Sequence, residues 1–147
     1  MASINFTTEE LVNIGKHYLP DEIDNLKGTS TGFDFEVKIN HGIPLVPTII
    51  PLKLDYRGFE EDTLYFELSV NTDNKLIQKV TSKIIKIFSS GFEKYFPAGI
   101  YMDANYIYVD INKLSGGSGM KIKITDVSFA ESNVHIEFDL HLHESNV

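Results

Sequence analysis

A chain of 147 residues with 42% hydrophobic content and 12% aromatics has the composition of one globular domain, able to bury roughly 68–70% of its unfolded surface. It contains no cysteine, which excludes disulfides and thiolate metal sites. A formal charge of −8 with Arg57 as the single arginine argues against nucleic acid, whose binding depends on clustered cations that neutralise phosphate. No apolar run approaches the roughly 18 residues of a membrane span, and the N-terminal stretch lacks a basic segment followed by an apolar one. A cytoplasmic protein without transmembrane segment or signal peptide is therefore expected.

Taken in chain order, Thr7 and Glu10 stand at capping-box spacing ahead of the apolar positions Leu11, Ile14 and Tyr18, predicting a helix that Pro20 stops. A polar loop is expected from Asp21 to Thr31. Residues 32–40 then alternate, with Phe33, Phe35, Val37 and Ile39 on one face of a strand. Three prolines between His41 and Pro51 mark an irregular connection or an edge. Residues 52–57 and 63–70 read as a hairpin joined by a polar turn. Asn74–Phe96 carries a wide apolar stripe and predicts one long helix, weakened at Ser89-Ser90-Gly91. Strands are expected at 106–111, 120–129 and 133–143, with a flexible Gly-rich hairpin loop at 115–119 between the first two.

The chain also aligns with itself. Residues 52–70 laid on 122–140 match Leu54 with Ile124, Leu64 with Val134 and Phe66 with Ile136, and Lys53/Lys123, Phe59/Phe129, Glu61/Glu131 and Glu67/Glu137 are identical. The whole therefore reads as one α+β domain over 1–147, an internally duplicated αβββ unit with pseudo-repeats over about 6–72 and 74–143. Its antiparallel, twisted sheet is expected to pack against two helices.

Chemistry is sparse. His135, Glu137, Asp139, His141 and His143 share one face of the last strand, and His141 and His143 are the metal candidates. The same alternation also suits an ordinary wet strand face. The Gly-rich loop lacks the phosphate-loop order, and no nucleophile stands in a recognisable arrangement. No cofactor is expected. Lys75, Lys79, Lys83 and Lys86 form a basic stripe beside the apolar one, suited to an anionic surface or to keeping the helix soluble.

From Phe96 onward, FPAGIYMDANYIYVDINKL followed by MKIKITDVSFAESNVHIEFDL resembles a segment of small uncharacterised bacterial proteins and of tubular-lipid-binding (TULIP) modules. Pro97, Gly99, Ile100, Lys113, Leu114 and Phe129 carry the likeness. The resemblance implies a curved antiparallel sheet clasping a long helix, with an apolar groove between them. The expected function is accordingly a non-enzymatic binding module for a lipid-like hydrophobic ligand. Its expected seam is Ile77, Val80, Ile84, Phe88 and Phe92 against Phe35, Val37, Phe66 and Phe138. The alternative is a self-associating assembly or scaffold protein joined through strand edges or charge-complementary faces; a metal-dependent activity at His141 and His143 stands third.

Overall fold

The computed structural model describes residues 2–94, 96, 98–111 and 120–142; the side chains of Tyr18, Glu93, residues 120–122 and residues 141–142 are not described. His143 and the Gly-rich loop thus lie outside the described residues, as does the His141 side chain. The architecture is α+β and mostly antiparallel, but its strands form two sheets where one was expected.

The first strand, β1 (Ala2–Thr7), leads into helix α1 (Thr8–Gly15) and a 3-10 turn at Lys16–Tyr18. The expected capping box is present. The Thr7 hydroxyl accepts from the Glu10 N–H at 3.0 Å, and the Glu10 carboxylate accepts from the Thr7 N–H at 2.9 Å. Strands β2 (Ile23–Gly28), β3 (Gly32–Lys38), β4 (Ile49–Glu60) and β5 (Thr63–Val70) follow. Helices α2 (Lys75–Lys79) and α3 (Thr81–Ser90) come next, then β6 (Ile100–Asp103), β7 (Tyr106–Asp110), β8 (Met120–Ala130) and β9 (Asn133–Leu142). The larger sheet runs β2-β3-β4-β5-β7-β6 and the smaller β1-β9-β8.

Pairing of β7 with β5 divides the sheets. Phe66 stands opposite Ile107 and Leu64 opposite Val109, so the β8–β9 hairpin finds its third strand in β1 instead. The long helix expected over Asn74–Phe96 is broken into α2, α3 and a 3-10 turn at Phe92–Lys94. Its first break falls at β-branched Val80-Thr81. Val80 leaves helical geometry (φ −112°, ψ 15°), and the Thr81 hydroxyl donates to the Ile77 and Gln78 carbonyls at 3.1 and 3.0 Å. Helix α3 ends at the Ser-Ser-Gly step, with Gly91 as its C-cap.

The two long hairpins share their turns. Glu61 and Asp62 have φ of 51° and 65°, Glu131 and Ser132 of 52° and 65°, the left-handed pair of a type I′ connection. Helices α2 and α3 cover one end of the large sheet. There Ile77, Ile84 and Phe88 join Val37, Ile50, Leu52 and Leu68 in the core, each of these at most 3% exposed. The other end of that sheet faces the small sheet and α1.

Gly32 is fixed by contact with the neighbouring strand, since a Cβ there would lie 1.9 Å from the Leu54 carbonyl oxygen. Backbone cannot yield as a flexible side chain does. Gly32→Ala is expected to lower unfolding free energy by about 3 kcal/mol or more, read from urea denaturation. A loss under about 1 kcal/mol would show that β3 and β4 do not approach this closely.

Candidate functional site

Four rings tie the sheets together. Tyr56 of β4 stacks on Phe129 of β8 (centroids 4.6 Å apart, planes at 27°), and Phe129 meets Phe66 and Phe33 edge-on at 5.7 and 6.1 Å. The Tyr56 hydroxyl donates to the Val127 carbonyl at 2.7 Å. Burial, reinforced by the Asp126 carboxylate and then by Tyr65, pushes the Tyr56 phenol far above its ordinary value. The neutral phenol is therefore the form that the fold holds.

Beside this clasp lies an apolar cavity of about 390 Å³. The large sheet supplies Leu54, Leu64, Phe66 and Val109; the small sheet supplies Ile124, Val127, Val134 and Ile136; Leu11 and Gly15 of α1 stand at its border. Among the described residues, the 20 that line it include none with a polar side chain. Alternation puts these side chains inward, yet Phe33, Leu54, Leu64, Phe129 and Ile136 are only half-buried. Inward residues that stay accessible belong to a cavity that the protein's own side chains do not fill. Both members of three sequence-matched pairs line it: Leu54 and Ile124, Leu64 and Val134, Phe66 and Ile136.

The residues expected to form a ligand groove are placed elsewhere. Ile77, Ile84, Phe88 and Phe92 are buried at 0–3% exposure, with Val80 packed against them, in the helix–sheet core. Phe35 and Phe88 meet at 6.5 Å and Phe88 and Phe92 at 5.8 Å. None of the five helical residues lines the cavity, whereas Phe35 and Phe66 on the expected opposing wall do. Lys75, Lys79, Lys83 and Lys86 are all exposed and make no ion pair with a described residue. On the last strand, His135 is engaged locally: Nδ1 lies 2.6 Å from Asn5 Oδ1 and Nε2 3.4 Å from Glu137 Oε1. Among the described residues, no three His, Asp or Glu side chains group as metal ligands.

The chain matches no known protein family, no curated protein and no solved structure. Among the described residues, no helix is long and apolar enough to cross a membrane.

The clasp predicts a pH signature. An unfolded tyrosine ionises near about 10, and the folded phenol ionises higher. The Tyr56 contribution is therefore complete below that pH and falls as pH rises through and beyond it. Tyr56→Phe is expected to lower stability by about 1 kcal/mol at neutral pH. Its deficit relative to the parent should shrink above about pH 10. Denaturation curves at several pH values read this, and a deficit constant into strong alkali would place the phenol outside the clasp.

Proposed function

We propose that this protein is a non-enzymatic binding module that holds a lipid-like apolar molecule between its two sheets. The supporting observation is the cavity of about 390 Å³ whose walls, among the described residues, are apolar side chains and one glycine. Its volume falls in the range of small-molecule sites, roughly 300–1,000 Å³. A sealed void of that size would cost about 9 kcal/mol at the penalty known for core cavities, comparable with the whole stability of a domain. An open one would leave its walls wet. An acyl chain relieves either condition, at about 0.8 kcal/mol for each buried methylene.

Walls without hydrogen-bonding side chains select by size and shape, so any polar head group stays at the border of the cavity. Nothing in such a lining supplies acid, base or nucleophile, which supports binding over chemistry. Duplication supports the same reading. The β4–β5 and β8–β9 hairpins carry the same two-residue turn, and matched residues of each face the cavity. We read them as copies of one unit whose apolar faces enclose the ligand. The likeness to TULIP modules is consistent with this use of a curved antiparallel sheet, with the ligand between sheets in place of the helix–sheet seam.

Native mass spectrometry of freshly purified protein tests the reading. A bound mass of a few hundred daltons that organic extraction removes is expected. Leu64→Phe and Ile136→Phe, which add volume inside the cavity, should fold, lose that mass and bind cis-parinaric acid at least about tenfold more weakly (about 1.4 kcal/mol). A folded parent with no adduct and no affinity for the probe would overturn the proposal. A discrete oligomer in that spectrum would favour assembly instead.

A further inference from the structure

The outer face of the six-stranded sheet carries a second concavity, back to back with the apolar cavity and separate from it. Register sets Tyr65 opposite Tyr108 across β5 and β7, and Tyr108 opposite Tyr101 across β7 and β6. Tyr101 and Tyr108 stack with centroids 4.9 Å apart and planes at 14°. Tyr65 and Tyr106 lie 6.3 and 6.5 Å from Tyr108. Four of the protein's 7 tyrosines thus make one continuous platform. Gly58 permits its near end, since a Cβ there would come within 2.6 Å of the Tyr65 hydroxyl oxygen. Arg57, Glu60, Glu61 and Thr63 complete a groove of about 460 Å³.

The charges of this groove favour one kind of guest. Arg57 is already compensated: its Nε and Nη2 each lie 2.8 Å from Glu67 Oε1, and Nη2 lies 3.8 Å from Asp55 Oδ2. Glu60 and Glu61 are exposed and make no ion pair with a described residue. Asp103, at the end of β6, adds an exposed carboxylate on the same face. Aromatic faces are negative at their centres and attract cations within about 6 Å. An anion would meet repulsion here, and an uncharged apolar guest would gain nothing from the carboxylates. Tyr101, 47% exposed, leaves its ring open to a ligand.

From this juxtaposition we infer that the groove of Tyr65, Tyr101, Tyr106 and Tyr108, with Glu60 and Glu61 at its rim, binds an organic cation of the quaternary-ammonium type. The methyl groups lie on the rings, and the positive charge faces both the ring quadrupoles and the two exposed carboxylates. This site is independent of the ligand proposed for the cavity, because alternate residues of β5 and β7 face opposite sides of the sheet.

Choline is a suitable probe, and 3,3-dimethylbutan-1-ol is its uncharged isostere. The chain has no tryptophan, so emission comes from tyrosine, the four groove tyrosines among the 7 included, and calorimetry measures binding alongside. Choline should bind with a dissociation constant on the order of 1 mM, and the neutral isostere at least about tenfold more weakly. Tyr108→Leu should lose the response while Tyr108→Phe keeps it. Glu60→Gln with Glu61→Gln should weaken binding at low salt, with a deficit that salt erodes. Should Tyr108→Leu fail to fold, Tyr101→Leu at the exposed edge serves in its place. No choline response, equal binding of the isostere, or an unaltered Leu variant would each overturn the inference. Cavity-filling substitutions should leave choline binding unchanged.

Discussion

Contact between Tyr56 and Phe129 determines what the rest of the molecule can be. These rings belong to different sheets, stack at 4.6 Å, and are locked by the hydroxyl bond to the Val127 carbonyl. Rings at this position hold the sheets together at one place and, by their bulk, hold them apart beside it. Aliphatic side chains such as Leu64, Val134 and Ile136 are too short to close the remaining gap. A cavity therefore lies beside the aromatic clasp, walled by aliphatic side chains together with Phe35 and Phe96. Protein interiors ordinarily reach crystal-like packing density, so a gap of this size next to a well-packed core is a local property of the clasp.

The large sheet shows the contrast within single strands. On β4, Leu52 is fully buried under α2 and α3, whereas Leu54, two residues on and facing the same way, is half-buried and lines the cavity. The change marks the boundary between two covers, helices on one side and a second sheet on the other. Helices lie close to a sheet and fill its surface with their own stripe. Two sheets meet through shorter, alternating side chains about 10 Å apart, and where the sequence supplies no large residue the space stays open.

How far the sequence foretold this depends on whether the signal was local. The capping box at Thr7 and Glu10, the alternation of β3, and the two hairpins were legible because each is set by residues close in the chain. Strands β1, β2 and β6 were not. Strand β2 lay inside an expected polar loop, because only Ile23 and Leu26 face inward and a bulge at Asn25, with φ of 53°, breaks its alternation. The sequence self-alignment marked several cavity-lining positions as matched apolar residues, but not their meeting around a gap. That depends on β7 joining β5, a long-range choice without a pattern of its own. The α2–α3 stripe was misleading for the same reason: a helix richly apolar on one face is equally suited to a groove and to a filled core, and Ile84 at 0% exposure belongs to the latter.

The two long hairpins, matched in sequence, differ in their covers. Leu68 of β5 is fully buried beneath the helices, while Phe138, which matches it on β9, is half-buried. The β4–β5 hairpin is enclosed at both ends of its inner face, by helices and by the small sheet. Chain period then separates the two faces of the shared sheet. Leu64 and Phe66 point into the cavity with Tyr65 between them pointing out, and Ile107 and Val109 bracket Tyr108 in the same way. Because β5 is hydrogen-bonded on both sides, to β4 and to β7, it cannot shift along its axis without breaking two ladders. The sheet is thus a stiff partition, apolar on one side and acidic-aromatic on the other, and what occupies one side has no inexpensive route to disturb the other.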